Sequence, residues 1–409
     1  MINRERQWMR SISRRKAMAR LAGVFASAPL WPSGLSAQQD PRPLSEHVRL
    51  PGFDEMMTSF DFEPLMFANV PLAIYDYTAH GDGAEFTKRR NRQAFEWVDL
   101  APGRAVDAKT VDLSTEVLGV KMKFPIMVAP SAAMVPLHPD GEIGMRKGAT
   151  AASNTPMILS ANTTTPFEKV AAGGTGPLWG QFYPNRDPDA GREQIERIQG
   201  SGYTAIIVTV DQQASVYDRT AQDKHLGGNP ARPPRGGGAG GAGAAATGPA
   251  RYHATAGRLW YTWKYLDDIR KIIKVPLLVK GILTAEDAQL CVEHGVDGII
   301  VSNHGGRSMD YGPSTLEVLP EIVAAVKGRV PIITDSGYRR GADILKGLAL
   351  GANAVLLGRT TRWALAAFGA PGVQRLLEIM QRELVEAAAA TGRSTMKSID
   401  TSLVKTRFT

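Results

Sequence analysis

Polar and charged side chains follow each of eight short apolar runs in this 409-residue sequence. One run, GIIVSN (298–303), contains Ser302 and leads through His304 and two glycines to Arg307. The other runs deliver Ser131; Ser160 and Asn162; Gln181 and Tyr183; Thr209 and Asp211; Lys280; Asp335, Ser336 and Arg339; and Gly358 and Arg359. One such residue is ordinarily a satisfied structural group. Eight polar endings together predict a site that binds a polar ligand and acts on it.

The last two runs carry groups that suit a phosphate. Ser336 and Gly337 precede Arg339, and Gly358 is followed by Arg359. In (β/α)8 barrels a phosphate is often bound by the loops after strands seven and eight, where backbone amides and a helix N-terminus face the anion. These residues predict a phosphate site if the runs are the strands of such a barrel.

The apolar runs predict buried parallel strands. They span 124–130, 156–161, 178–183, 205–211, 276–281, 298–303, 331–337 and 354–359. Their hydrophobicity is continuous rather than alternating, as in strands that are covered on both faces. Helical sequences lie between them, and in one Thr284 can cap the amide of Asp287 while Gly295 can end the helix. This alternation predicts an α/β protein with a (β/α)8 TIM barrel; an open doubly wound sheet is the alternative.

The spacing of the runs is broken once, between Asp211 and Pro276. The chain there contains a stretch rich in Gly, Ala and Pro over 231–250. Such a composition does not support a packed core. We predict a Gly-rich loop inserted after strand four of the barrel, in a position suited to a lid.

The positive charge of the chain is concentrated at its N-terminus. Residues 1–37 hold seven Lys or Arg against Glu5, which accounts for most of the formal net charge of +8. The remainder is close to neutral, so we expect no nucleic-acid partner. The single cysteine, Cys291, excludes an intramolecular disulfide, and its helical context favours a packed thiol.

The N-terminal segment has the layout of an export signal. Arg14 and Arg15 precede a moderately apolar run, and small residues follow at Ser36 and Ala37. The arginine pair resembles a twin-arginine signal. The apolar run is too short to span a bilayer, so we expect no stable membrane insertion. Residues 1–37 are therefore predicted to direct a soluble protein to the periplasm; the alternative is a basic tail on a cytoplasmic protein.

Several motifs together resemble a known enzyme family. They are YDYTAHGDG (75–83), VAPSA (128–132), GQFY (180–183), TVD (209–211), LVKGILTAEDA (278–288), IIVSNHGGR (299–307), DSGYRRGAD (335–343) and LLGR (356–359). In combination they are similar to the FMN-dependent L-2-hydroxy-acid oxidases and dehydrogenases, the glycolate oxidase and L-lactate dehydrogenase family. The resemblance runs over about residues 51–400. It implies an FMN-binding (β/α)8 domain over 38–409, oxidation of an L-2-hydroxy acid to the 2-oxo acid, and a homotetramer.

The resemblance implies roles for the residues nearest the reaction. His304 matches the catalytic base, and Asp211 matches the carboxylate that pairs with its imidazolium. Arg307 matches the arginine that binds the substrate carboxylate. Tyr77 and Tyr183 match tyrosines that hydrogen-bond the substrate and take part in catalysis. The two glycines after His304 would let substrate and flavin approach the backbone closely.

A second group matches the cofactor positions of the family. Lys280 corresponds to the lysine beside the flavin N1 and C2 carbonyl, where a positive charge stabilises the reduced ring. The other positions are Ser131, Ala132, Ser160, Gln181 and Thr209 on the flavin ring, Ser302 beside the cofactor, and Asp335, Gly337, Arg339, Gly358 and Arg359 at the ribityl and phosphate groups. No metal is implied.

The sequence departs from the family pattern at two positions near the substrate. The second arginine for the substrate carboxylate normally follows the TVD aspartate by seven residues, where this chain has Asp218; Arg219 is the nearest candidate. Asn162 stands where the glycolate oxidases have tryptophan. Loss of that apolar wall permits a bulkier or more polar substrate than glycolate.

Two other function classes are compatible with parts of this pattern. One is a non-redox FMN barrel, such as an isomerase acting on a phosphorylated substrate, which would need neither the His304–Asp211 pair nor an arginine for a carboxylate. The other is an exported flavin-binding module without catalysis. The intact set of predicted site residues favours an oxidoreductase, and a periplasmic location makes oxygen, a cytochrome or a quinone-linked protein the candidate electron acceptors.

Overall fold

The computed structural model describes residues 50–106, 109–211 and 261–408. The predicted export signal, the glycine-rich segment 231–250, Asp218 and Arg219 lie outside these residues. Over the three described ranges, no helix is long and apolar enough to cross a membrane. The same ranges contain no cluster of His, Cys, Asp and Glu that could hold a metal ion.

The described residues alternate between strands and helices. The strands are β1 (Val98–Leu100), β2 (Thr115–Val117), β3 (Val120–Met122), β4 (Ile126–Val128), β5 (Met157–Leu159), β6 (Leu178–Phe182), β7 (Ile206–Thr209), β8 (Leu277–Ile282), β9 (Gly298–Val301), β10 (Ile332–Thr334), β11 (Ala354–Leu357) and β12 (Val404–Thr406). The α-helices span Phe62–Asn69, Leu72–Ala79, Phe86–Gln93, Gly141–Ala151, Phe167–Ala172, Pro188–Gly200, Trp263–Arg270, Ala285–Glu293, Thr315–Val326, Gly341–Ala349 and Arg359–Ala390.

Strands β4 to β11 form a closed parallel barrel. Neighbouring strands follow chain order, and β11 pairs with β4 to complete the ring. Seven of these strands lie within the apolar runs, and β8 extends one residue beyond its run, to Ile282. The predicted (β/α)8 fold is therefore confirmed, and the open doubly wound alternative is wrong.

The continuous hydrophobicity of the runs is explained by burial on both faces of the barrel wall. Met127 points into the barrel interior, whereas its neighbours Ile126 and Val128 pack against the surrounding helices. A separate apolar cluster inside the barrel takes a large side chain from each strand: Met127, Ile158, Trp179, Ile207, Leu278, Ile300, Ile333 and Leu356. Large apolar side chains on both faces leave no solvated side, so the polar alternation of an exposed sheet is absent.

Shorter elements cover the barrel and extend its helical layer. The β2–β3 hairpin contributes Val117 and Met122 to the interior apolar cluster. Strand β1 pairs with β12, near the C-terminus. The long helix Arg359–Ala390 is kinked at Phe368 and Gly369, two residues before Pro371, because proline cannot continue the preceding helical hydrogen bonds.

The helix after β8, Ala285–Glu293, has the N-terminal cap that its sequence predicts. Thr284 Oγ1 accepts a hydrogen bond from the Asp287 amide at 3.2 Å, as predicted. Cys291 is fully buried on this helix. Burial raises the pKa of its thiol to about 12, which suppresses the reactive thiolate. The prediction of a packed thiol is confirmed.

Candidate active site

A polar cleft lies where the barrel strands end. Its empty space, including the open mouth, is about 890 Å³. The predicted site residues that line it are Tyr77, Ser131, Ala132, Ser160, Tyr183, Lys280, His304, Arg307, Asp335, Gly337, Arg339, Gly358 and Arg359, together with Asn162 and Ser336. Three further predicted residues, Asp211, Gln181 and Ser302, form hydrogen bonds with residues of this lining. Thr209 lies opposite Lys280 in the pairing of β7 with β8.

His304 and Asp211 form a hydrogen-bonded pair at the base of the cleft. His304 Nδ1 lies 2.8 Å from Asp211 Oδ1, and 93 residues separate the two positions. The carboxylate is 4% exposed, whereas the imidazole is 21% exposed and lines the cleft. The acid is thus shielded from water and the ring faces a ligand.

The backbone around His304 is held in an uncommon conformation. His304 has a φ of 58°, and Gly305 and Gly306 follow with φ of 69° and 75°. A Cβ at Gly306 would lie 2.6 Å from the backbone nitrogen of Lys88, and one at Gly305 would lie 2.5 Å from Arg359 Nη1. Both glycines are therefore required by neighbouring protein groups, in addition to the ligand approach that the sequence suggested.

Lys280 contacts polar side chains from three strand ends, two aspartates and a serine. Its Nζ donates to Ser302 Oγ at 2.7 Å and lies 3.4 Å from Asp211 Oδ2 and 3.6 Å from Asp335 Oδ2. Ser302 Oγ also accepts a hydrogen bond from the His304 amide at 3.0 Å. The lysine therefore holds the aspartate that supports His304 while its own side chain lines the cleft.

The charges of this network offset the cost of burying it. Burial alone would raise the pKa of Asp211, but the charges of His304 and Lys280 outweigh it and hold the pKa below its usual value. Burial would lower the pKa of Lys280, but Asp211 and Asp335 raise it. Both groups are therefore charged at neutral pH.

Gly281 permits the close approach of Asp211 to β8. It has a φ of 114° at an irregularity of the β8–β9 pairing, and a Cβ there would lie 2.5 Å from Asp211 Cβ. We expect Gly281→Ala to destabilise the protein by about 1–3 kcal/mol and to lower kcat by displacing Asp211. Thermal unfolding and steady-state kinetics would measure both effects.

Gly295→Ala is the matched control for this variant. Gly295 has a φ of 70°, but a Cβ there would meet nothing within 4 Å. This control carries backbone strain without a steric clash. Equal kcat values for the two alanine variants would show that Asp211 is not displaced.

The wall between β5 and β7 has unfilled hydrogen-bonding capacity. Gln181 Oε1 accepts bonds from Ser160 Oγ at 3.1 Å and from the Ala161 amide at 2.9 Å. The buried Gln181 Nε2 and Thr209 Oγ1 have no hydrogen-bond partner within the described residues. Buried polar groups ordinarily have partners, so this wall fits a ligand that offers oxygen and nitrogen atoms, such as the heteroaromatic edge of a flavin.

The opposite wall is rich in arginine and glycine. Arg339 and Arg359 line it, and Gly337 has a φ of 94° with a hypothetical Cβ 2.4 Å from the Asn91 carbonyl oxygen. Arg359 donates to the carbonyl groups of Thr78, Gly305 and His80 at 2.7–3.0 Å. These bonds fix its guanidinium at the end of β11, the eighth strand of the barrel. Two cations held beside backbone turns suit the phosphate of FMN.

Two arginines lie over the ring of Tyr77, which lines the cleft. The Cζ of Arg307 is 4.8 Å from the ring centroid, and the Cζ of Arg362 is 5.6 Å from it. Arg307 Nη1 also donates to the His80 carbonyl at 2.9 Å. Tyr183 lines the same cleft. Tyrosine hydroxyl groups and a fixed guanidinium can bind a carboxylate together.

Sequence reasoning missed several residues of the lining. Thr78, Tyr338, Leu356 and Arg362 belong to it, as do the backbone positions Ala129 and Pro130. Arg362 carried a usable signal, because it follows Arg359 by three residues at the start of a helix, and positions i and i+3 share a helix face. Thr78 became interpretable only through its bond to Arg362.

Comparisons with known proteins show that the chain is similar to FMN-dependent enzymes. The family described as FMN-dependent dehydrogenase has a model that matches residues 67–406. A peroxisomal (S)-2-hydroxyacid oxidase of Arabidopsis thaliana is 36% identical over 364 residues, covering 86% of this chain and 97% of the relative. Glycolate oxidase of Spinacia oleracea is 36% identical over 349 residues, covering 84% and 94%.

Two solved structures of enzymes named for mandelate are also similar to this chain. A mandelate oxidase with (S)-2-phenylpropionate superposes with a TM-score of 0.75 at 32% identity, covering 86% of this chain and 99% of the other. A soluble mutant of the membrane-associated (S)-mandelate dehydrogenase of Pseudomonas putida superposes with a TM-score of 0.77 at 31% identity, covering 86% and 100%.

Proposed function

Because the chain belongs to the FMN-dependent dehydrogenase family, we propose that it oxidises an L-2-hydroxy acid to the 2-oxo acid. Its relatives include enzymes named for (S)-2-hydroxy acids and glycolate. The observation that carries the proposal is the His304–Asp211 pair, which faces the cleft beside Arg307 and Tyr77. This set combines a base with groups for a carboxylate, as the oxidation requires.

His304 is the base in this proposal. Its Nδ1 is engaged by Asp211, so Nε2 accepts the proton from the substrate hydroxyl group. Asp211 then stabilises the imidazolium that forms. Because Lys280 keeps this carboxylate ionised, the pair is prepared for proton transfer before the substrate arrives.

The substrate carboxylate is bound by Arg307 with the hydroxyl groups of Tyr77 and Tyr183. Arg307 is held by backbone carbonyl groups, so little conformational entropy is lost when it binds the acid. This anchor places the substrate hydroxyl within reach of His304. Arg219, outside the described residues, stays a prediction for the same carboxylate.

The residues present fit FMN on both sides of the cleft. Gln181, Thr209 and Lys280 would hold the ring, with Ser131, Ala132, Ser160 and Ser302 around it. Asp335, Gly337, Arg339, Gly358 and Arg359 would hold the ribityl and phosphate groups. FMN, when bound, supplies the acceptor for the Cα hydrogen and its two electrons. The protein supplies orientation, the base and the positive charge of Lys280.

An anaerobic substrate panel tests the proposal. Protein lacking residues 1–37 is mixed with L- and D-2-hydroxy acids while the visible flavin absorbance is recorded, and air is then admitted. We expect L-acids to bleach the flavin and D-acids to leave it oxidised. Rapid recovery in air would indicate an oxidase, and slow recovery a dehydrogenase with another acceptor. Loaded flavin that no hydroxy acid bleaches would contradict the proposal.

Export to the periplasm is part of the same proposal. The order of Arg14–Arg15, apolar run and small residues supports it. A folded-protein route would allow FMN to bind before export, and the acceptor would then be oxygen or a periplasmic electron carrier. Cell fractionation tests this, and full-length protein found only in the cytoplasm would contradict it.

A further inference from the structure

Arg362 is a buried cation in the cleft wall that the proposed reaction leaves without a role. It is 5% exposed and lies one helical turn after Arg359. Its Nε donates to Thr78 Oγ1 at 3.0 Å, and its Nη1 donates to the Ala132 carbonyl oxygen. Nη2 makes no hydrogen bond to any described residue, so one edge of the guanidinium has donors to offer to a ligand in the cleft.

The contacts of Arg362 differ from those of a structural arginine in the same chain. Arg146 is equally buried, but its guanidinium donates to three backbone carbonyl groups, those of Val170, Ala171 and Gly176. It lies away from the cleft lining. Arg146 thus ties together backbone segments, whereas Arg362 makes one bond of this type and lines a ligand site.

Arg362 also lacks the acidic partner that Arg90 and Arg340 have. Arg90 and Arg340 each contact a glutamate at 2.7–2.8 Å, and this contact raises the pKa of each. No carboxylate lies within 4 Å of Arg362 in the described part of the chain. Burial lowers its pKa, and the more distant Tyr77 and Glu142 offset this only in part. A buried cation without an acid is costly unless a ligand supplies the charge.

The position of Arg362 indicates which ligand group it meets. Arg339 and Arg359 already face the predicted phosphate position, and Arg307 is the predicted anchor for the substrate carboxylate. Arg362 shares the ring of Tyr77 with Arg307. Its bond to Ala132 also places it beside Ala133, whose amide donates to the Asn162 carbonyl at 3.0 Å. Tyr77, Asn162 and Arg362 therefore lie near one another in the lining of the cleft.

We propose that Arg362 binds a second acidic group, on the side chain of the substrate, so that the enzyme prefers short 2-hydroxydicarboxylic acids to acids with an uncharged side chain. This inference rests on the proposed oxidation of 2-hydroxy acids. Charge-assisted bonds from a buried arginine discriminate strongly. We expect kcat/KM to be about 10- to 100-fold higher for the diacid than for its neutral isostere.

The wild-type protein provides the first test. L-malate and L-2-hydroxyglutarate are each compared with the acid that carries a terminal amide, and with a straight-chain apolar acid of the same length. A preference for the diacids supports the inference. Equal or better turnover of the amides or apolar acids overturns it without affecting the proposed reaction. Failure of all these acids to bleach the flavin, in contrast, would count against the proposed function itself.

Two substitutions assign the preference to this side chain. Arg362→Met should remove the diacid preference and retain turnover of the apolar acids, whereas Arg362→Lys should keep part of the preference. Arg382→Met, at an exposed arginine of the same helix, is the control that should change nothing. Loss of FMN affinity with an unchanged substrate ratio would overturn the inference, because Arg362 would then serve the cofactor. An equal loss for all substrates would show a structural role.

Discussion

Replacing His304 with glutamine is expected to lower kcat about 10²- to 10⁴-fold, which is the usual contribution of a general base. Glutamine preserves much of the side-chain volume and can still donate to Asp211 Oδ1, but it cannot accept the hydroxyl proton. FMN content and the spectrum of the oxidised flavin should remain those of the parent protein. Single-turnover flavin reduction in an anaerobic stopped-flow instrument measures the loss at the chemical step.

The chain contains a matched control for this histidine. His294 Nδ1 lies 2.6 Å from Asp267 Oδ1 and its ring stacks on Trp263, well away from the cleft lining. His294→Gln removes the same type of pair and should leave turnover unchanged. If His304→Gln retained most of its turnover, the base would be another group, and the non-redox isomerase alternative would regain support.

The barrel could be predicted because its signal is local. Each strand is buried on both faces, so runs such as Ile206–Thr209 contain almost only apolar residues. The polar endings could be assigned to one site because all strands of a parallel barrel finish at the same end. These features depend on fold geometry alone, and no knowledge of individual side-chain contacts was required.

The roles of the glycines could be predicted only in part. The sequence shows that Gly305 and Gly306 follow His304, and it suggests a close approach of a ligand to the backbone. The structure adds Lys88 and Arg359, which come from distant segments and occupy the space where a Cβ would lie. Such packing depends on tertiary contacts more than fifty residues apart in sequence, and a single sequence does not report them.

The contacts that hold the site residues in place could not be predicted from the sequence either. Thr78 was not among the predicted site residues, because its partner Arg362 lies 284 positions away. Likewise, the contact between Lys280 and Asp335 joins two strands that are not neighbours in the barrel. Motif reasoning finds residues that touch ligands more readily than residues that hold other residues in place.

Lys280→Met is expected to have the largest effect on stability. The side chains of Lys280 and Asp211 are 3% and 4% exposed, and Asp335 is 9% exposed. Removing the cation leaves two carboxylates buried together, and breaking a buried ion pair in this way typically costs about 3–5 kcal/mol. Chemical denaturation at neutral pH measures the change. Lys264→Met, which breaks a lysine–aspartate pair at the surface, should change stability little.

The pH dependence of stability separates electrostatic loss from loss of packing in this variant. The pKa of Asp211 is held below its usual value partly by Lys280, so its stabilising contribution is present above the unfolded-state pKa and is lost as pH falls through the lower folded-state value. Without Lys280 the folded-state pKa rises. As the pH falls, the stabilising contribution of Asp211 should therefore be fully lost at a higher pH in Lys280→Met than in the parent protein. A destabilised variant with an unchanged acid transition would show that the methylene chain of Lys280, rather than its charge, supports the site.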